Sequence, residues 1–200
     1  MTMLDVRFSD WIQKGFAIFT GQASVLLVSG IVAVAISAAT LGLLAGPMLA
    51  GMALIILNVQ NERLSPPTPN DLFKGFDYFL ATIPVTLGFY GLVLFYWVFR
   101  YIPFLGPALS VVVMSVGAAI GVFCVFHLVN RKVDPRSSAP KWWALFIANW
   151  GPLLGFFILI SLIVYCGLLL YYVGLVVAIP LYLVILGVAY LAILRQTAEL

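Results

Sequence analysis

The sequence predicts an all-α integral membrane protein, a six-helix bundle of three helical hairpins, each preceded by an interfacial amphipathic segment. Composition is the first reason, because 64% of the 200 residues are hydrophobic and 8% are charged, whereas a soluble domain carries about 25% charged residues. The second reason is that six apolar runs approach the roughly 20 residues that a membrane span requires. The third is an internal repeat at an offset of 60 residues.

The apolar runs set the order of the predicted helices. They cover residues 22–42, 45–60, 78–99, 105–130, 149–171 and 175–194. Turns that contain glycine or proline separate the two runs of each pair, and longer polar segments at 58–74 and 130–141 separate the pairs. Because short connections join antiparallel neighbours, we expect three hairpins within a single transmembrane domain of residues 1–200.

Two short motifs of the first hairpin recur in the second. Lys-Gly-Phe at 14–16 returns at 74–76, and Gly-Pro at 46–47 returns at 106–107, each 60 residues later. Lys-Trp-Trp at 141–143 is a fainter third copy. Repeats of this length indicate one structural unit used several times. The predicted pseudo-repeats are residues 1–64, 65–132 and 133–200, with approximate boundaries.

An amphipathic segment with a lysine and several aromatic residues precedes each hairpin, a pattern typical of the membrane interface. In the first segment, one helical face carries Leu4, Phe8, Trp11, Ile12, Phe16 and Phe19. In the second, Thr68 followed three residues later by Asp71 predicts a helix start. We expect the next apolar residues, Leu72, Phe73 and Phe76, to face lipid.

The charged residues predict the orientation. Basic residues in short loops stay cytoplasmic, and Arg100 is the only basic residue on the opposite side of the predicted bundle. The cytoplasmic basic residues are Arg7, Lys14, Arg63, Lys74, Arg131, Lys132, Arg136, Lys141 and Arg195. The acidic residues fall on the same side: Asp5, Asp10, Glu62, Asp71, Asp77, Asp134 and Glu199. Both termini are therefore expected in the cytoplasm.

The distribution of polar residues argues against several classes of function. No Asp, Glu, Lys or Arg falls at mid-depth in a predicted span, which disfavours an ion-driven pump and a pore lined by charge. Asp77 lies at an interface, three residues from Lys74, with which we expect it to pair. The dispersed basic residues form no face for nucleic acid. No metal, cofactor or nucleotide motif is present, so no cofactor is expected.

The two cysteines lie at different predicted depths. Cys124 and Cys166 are separated by about 16 Å along the bundle axis at roughly 1.5 Å per helical residue. A disulfide requires Cα atoms within about 7 Å. Both residues are therefore expected to be free thiols.

Four polar residues near the cytoplasmic ends of spans form the candidate site. His127 is the single histidine and lies near the end of the fourth span. Asn58 ends the second span, Asp77 begins the third and Asn149 begins the fifth. If these side chains converge, they form a polar cluster at the cytoplasmic rim. The alternative is that each one meets water at its own helix end.

The stretches at 46–51, 61–63 and 71–76 resemble a loose group of uncharacterised bacterial multi-span membrane proteins. These are similar to the membrane domain of some glycerophosphodiester phosphodiesterases. The resemblance covers about residues 10–100. It implies a location in the bacterial inner membrane and a six-helix bundle, and it brings no assigned activity or functional residues.

These observations favour a non-catalytic inner-membrane protein that binds membrane lipid, another membrane protein or a second copy of itself. The first alternative is a transporter or channel for a small neutral or apolar solute, with which the uncharged spans are compatible. The second is a lipid-modifying enzyme, which requires the cluster of Asn58, Asp77, His127 and Asn149 to converge.

Overall fold

A computed structural model describes residues 4–60, 66–102, 105–169 and 174–198. Over these ranges the secondary structure is helical, without strands. The helices are α1 Phe8–Gly21, α2 Ala23–Ala39, α3 Ala45–Gln60, a 3₁₀ helix Pro69–Tyr78, α4 Phe79–Phe99, α5 Leu105–Arg131, α6 Pro135–Ala148, α7 Trp150–Leu169 and α8 Leu175–Ala198. The predicted all-α class is confirmed. Of the residues used above, Asn61, Glu62, Arg63 and Glu199 lie outside the described ranges.

Each of the six apolar runs corresponds to a helix, namely α2, α3, α4, α5, α7 and α8. Four helices are long and apolar enough to cross a membrane on their own, when the 3₁₀ helix and α4 are taken as one helix of 31 residues. The helices α1 and α2, bent by 91° at their junction, add a fifth candidate as a pair. The described residues thus contain four to five candidate spans, and α3, at 16 residues, is shorter.

The three segments that precede the pairs of apolar helices share one packing relation. The 3₁₀ helix packs on α3, and α6 packs on α5, so each lies on the second helix of the pair before it. The first segment, α1, packs on α8, which is the second helix of the last pair. The chain therefore closes on itself around the bundle, with the N-terminal helix against the C-terminal one.

Glycine permits the closest of these contacts, between the 3₁₀ helix and α3. A Cβ added at Gly75 would overlap the carbonyl oxygen of Pro47 and lie 2.5 Å from the backbone nitrogen of Gly51. At Gly51, an added Cβ would overlap the carbonyl oxygen of Leu72. The two backbones therefore approach each other without side chains between them, as small residues allow between membrane helices.

The helix start predicted at Thr68 is confirmed, because the 3₁₀ helix begins at the next residue, Pro69. The backbone N–H of Thr68 donates to the carboxylate of Asp71 at 2.8 Å, and the N–H of Asp71 donates to the carbonyl of Thr68 at 3.0 Å. The predicted partner of Lys74 is wrong, because Lys74 pairs with Asp71 at 2.5 Å and not with Asp77. Both carboxylates are three residues from the lysine, but that of Asp71 is held in place by the Thr68 N–H, whereas Asp77 is exposed.

The predicted lipid-facing residues of this segment are partly wrong. Phe73 and Phe76 are exposed, but Leu72 is fully buried. Leu72 lies against α3, because the 3₁₀ helix presents one side to α3 along its length. In the first segment, Trp11 and Phe19 are buried, whereas Phe16 is exposed.

The core is centred on α3, α5 and α8. Every described α8 residue from 182 to 190 is buried. A Cβ added at Gly187 would lie 2.8 Å from Ile56 and 3.1 Å from Phe126, which shows how closely the three helices meet. By contrast, α4 exposes large apolar side chains, including Leu80 and Leu94. An exposed apolar surface of this kind is expected of a helix that faces lipid.

Candidate functional site

An apolar pocket of about 540 Å³ lies between α2, α3, α4, α5, α7 and α8 in the described part of the chain. Ligand sites typically enclose about 300–1,000 Å³. Each of the six helices contributes to the wall, as shown by Ala33, Met48, Phe89, Ala118, Val164 and Tyr182 in chain order. We call this space the apolar cavity.

Small residues create the room for the apolar cavity. Its wall includes Ala38 at the end of α2 and Ala45 at the start of α3. It also includes Gly30, where an added Cβ would overlap the ring of Pro180 in α8. Close packing of α2 on α8 at Gly30 therefore coexists with open space beside the small side chains nearer the α2–α3 turn.

The chemistry of the wall is almost entirely apolar. Its polar side chains are the hydroxyl-bearing Ser37 and Tyr182, and the lining residues include no charged or amide side chain. A charged ligand buried here would lose its hydration without gaining a partner, which is strongly unfavourable. The wall therefore suits a hydrocarbon chain or a small neutral molecule, with the Ser37 hydroxyl as a polar contact.

The turn between α2 and α3 lies at one end of the apolar cavity and carries backbone strain. Leu41 has a positive φ of 52°, which is uncommon for a residue with a branched side chain, and it is 86% exposed. Gly42, which lines the cavity, has a φ of 88°. The hydroxyl of Tyr90 donates to the Leu41 carbonyl at 2.5 Å. Thus α4 secures the turn beside the cavity.

His127, the central residue of the predicted polar cluster, lies in an aromatic group away from the apolar cavity. Its Nδ1 is 3.1 Å from the hydroxyl of Tyr190, and Asn130 donates its amide N–H to the same hydroxyl at 3.3 Å. The rings of Trp142 and Tyr190 lie 5.8 and 6.1 Å from the imidazole ring, edge to face. This group joins α5, α6 and α8.

The other three residues of the predicted cluster have different surroundings. Asn149 accepts a hydrogen bond from the backbone N–H of Leu4 at 2.9 Å, and so attaches the N-terminal segment to the α6–α7 junction. Asp77 is exposed, and Asn58 is half-buried. In the described ranges no hydrogen bond joins any two of Asn58, Asp77, His127 and Asn149.

Tyr190 is the residue of the His127 group that the sequence interpretation missed, because it was counted as part of an apolar run. One signal could have found it. His127 lies four residues before Arg131 and Tyr190 lies five before Arg195. Similar distances from two basic helix ends on the same side predict similar depths, where a hydroxyl and an imidazole can meet.

No protein-family model matches the chain, and neither does any curated protein or solved structure. The resemblance to the membrane domain of glycerophosphodiester phosphodiesterases therefore stays a prediction from the sequence.

Proposed function

We propose that the protein is a non-catalytic, six-span protein of the bacterial inner membrane that binds a lipid in the apolar cavity. The observation that carries the proposal is the uncharged cavity of about 540 Å³, whose wall comes from six helices. We also propose that both termini lie in the cytoplasm, which the distribution of basic residues supports.

The number of spans depends on whether the short helix α3 crosses the membrane. At 1.5 Å per residue, the 16 residues of α3 extend about 24 Å, less than the roughly 30 Å of a hydrocarbon core. However, ten of its residues are buried, so neighbouring helices and not lipid surround most of its length. A helix in that position need not match the bilayer by itself. We therefore count α2 and α3 as two crossings.

Binding in this cavity would depend on shape more than on the hydrophobic effect. A lipid chain leaves hydrocarbon to enter the cavity, so it gains little from transfer out of water. Its affinity would come from packing contacts with the wall and from a hydrogen bond to Ser37. A ligand with one hydrocarbon chain and an uncharged polar group close to it satisfies both conditions.

A substitution that fills the apolar cavity with a larger side chain tests this proposal. Ala118 lines the apolar cavity, whereas Ala108 lies on the same helix, exposed and outside it. Native mass spectrometry of gently extracted protein should show an uncharged lipid at fixed stoichiometry in the wild type and in Ala108→Phe. In Ala118→Phe, the added ring should displace the lipid. Equal retention of lipid by the two variants would show that the cavity is not the binding site.

Transport of a small neutral or apolar solute is the second candidate, favoured by the strained α2–α3 turn beside the cavity. Strained backbone conformations cluster at ligand clamps and switch regions, so this turn is the part of the cavity wall that we expect to move during transport. Saturable uptake by proteoliposomes, abolished by Ala118→Phe and retained by Ala108→Phe, would favour a transporter. Bound lipid without uptake would favour the binding role.

A further inference from the structure

A second pocket, of about 690 Å³, lies between α1 and α8 and is unlike the apolar cavity in chemistry. Asp5 and Gln196 lie at one end and hold the N-terminal segment to the C-terminal helix. The Asp5 N–H donates to the Gln196 side chain at 3.0 Å, and that side chain donates back to the Asp5 carbonyl at 3.1 Å. We call this space the α1–α8 pocket. It shares no lining residue with the apolar cavity.

The α1–α8 pocket is lined by more basic side chains than acidic ones. Arg7 lies 2.7 Å from Asp5 and 3.9 Å from Asp10, so both carboxylates are occupied by this one guanidinium. The paired carboxylates also raise the pKa of Arg7 above its ordinary value. Lys14 and Arg195 line the same pocket, and neither has an ion pair within the described part of the chain. The surplus charge in the pocket is therefore positive.

An uncharged hydrogen-bond donor lies beside these basic residues. Gln60, at the end of α3, lines the pocket, and its side-chain nitrogen is buried without a hydrogen-bond partner among the described residues. A buried N–H left without an acceptor is costly, so an anionic oxygen that reached it would be favoured. Lys14, Arg195 and Gln60 together offer donors from α1, α8 and α3.

The rest of the wall is apolar. Alongside the polar residues, the pocket is lined by Ala17, Ile18, Val188, Leu191 and Ala192. A site with cations and an amide donor beside an apolar wall fits an anion attached to hydrocarbon. Inorganic ions would use only its polar part.

We propose that the α1–α8 pocket binds a phosphate group, with Lys14 and Arg195 as its charged ligands. A phosphate accepts several hydrogen bonds at once, and contacts of this kind are stronger when both partners are charged. Arginine presents a planar set of donors that suits phosphate, and lysine adds a point charge. The phosphate belongs either to the headgroup of an anionic lipid, whose hydrocarbon part would contact the apolar wall, or to a free phosphate ion.

The test compares two double variants that remove the same charge. Lys14→Gln with Arg195→Gln removes the proposed ligands, whereas Arg136→Gln with Lys141→Gln removes two exposed cations of α6 that lie outside the pocket. Binding of dioleoyl phosphatidic acid to the full chain in a neutral detergent is measured by native mass spectrometry. Dioleoyl phosphatidylcholine, with the same acyl chains, is the matched lipid.

We expect the wild type and the α6 double variant to prefer phosphatidic acid over phosphatidylcholine. The Lys14 and Arg195 double variant should bind phosphatidic acid about tenfold more weakly or worse, since it loses two charge-assisted contacts. Competition by millimolar inorganic phosphate would assign the site to phosphate itself, and its failure to compete would assign it to a lipid headgroup.

Two results would overturn the proposal. One is equal binding of the two lipids by the wild type. The other is equal weakening in both double variants, which would mean that net charge, and not this pocket, attracts the anion. Thermal unfolding of each variant establishes that it is folded, and the single Lys14→Gln variant replaces the double one if that protein does not fold.

Discussion

Replacing Gly75 with alanine tests the closest helix contact in the structure. The new methyl group would overlap the Pro47 carbonyl oxygen and lie 2.5 Å from the Gly51 nitrogen. These neighbours are backbone atoms of α3, so they cannot move aside as a flexible side chain would. The 3₁₀ helix must therefore shift away from α3, and contacts along the whole pair are weakened.

The expected cost follows from two opposing effects. Overpacking in a tightly packed interior costs about 1–3 kcal/mol, and the backbone contacts at Gly75 place this case near the upper end. Alanine regains about 0.5–1 kcal/mol because glycine has more conformational freedom to lose on folding. The net loss for Gly75→Ala is about 2 kcal/mol. For a protein of this size, that corresponds to a fall in Tm of roughly 4–8 °C.

Gly88→Ala is the matched control. Gly88 lies in the same 31-residue helix, and an added Cβ there would meet no atom within 4 Å. This variant should be at least as stable as the wild type. Unfolding by titration with sodium dodecyl sulfate, followed by circular dichroism, gives the free energy of unfolding of both. If Gly75→Ala proves as stable as Gly88→Ala, the close approach of the 3₁₀ helix to α3 is refuted.

Two further predictions concern the His127 group and the thiols. Tyr190→Phe removes the hydroxyl that contacts both His127 and Asn130, and should lower the free energy of unfolding by about 1–2 kcal/mol in the same titration. For the thiols, Cys166 is exposed and Cys124 is buried. Mass spectrometry should therefore find one N-ethylmaleimide on the folded protein and two after unfolding, since reaction requires access to the thiol.

Controls for these two predictions lie within the chain. Tyr96 is exposed and its hydroxyl forms no hydrogen bond with a described residue, so Tyr96→Phe should leave the free energy of unfolding unchanged. If the two tyrosine substitutions change the free energy of unfolding equally, the Tyr190 hydroxyl does not have the proposed structural role. For the thiols, Cys166→Ser should react only after unfolding, and rapid labelling of that variant would contradict the burial of Cys124.

The helices were predictable from sequence because hydropathy and capping act locally. The apolar run at 105–130 matches α5 at Leu105–Arg131, and the Thr68 and Asp71 pattern marks where the 3₁₀ helix begins. The pseudo-repeats remain a prediction. They are supported by the common packing relation of α1, the 3₁₀ helix and α6, each of which packs on the second helix of another pair of apolar helices.

The candidate sites were only partly predictable, since each combines residues distant in sequence. His127 was identified from its rarity, but its partner Tyr190 lies 63 residues away and was read as apolar. Lys14 and Arg195 were interpreted only as topology signals, although the packing of α1 on α8 brings both to one pocket. Which distant residues share a pocket depends on helix packing, which hydropathy does not encode.

The sequence by itself determined that this chain is helical and suited to a membrane, because those properties depend on the character of successive residues. It also indicated the approximate bounds of the six apolar helices α2, α3, α4, α5, α7 and α8. The tertiary structure decided which faces meet: Gly75 against Pro47, Leu72 buried and not facing lipid, and α1 closed against α8. These outcomes depend on shape between segments far apart in the chain, and the cavities exist only where those segments leave space.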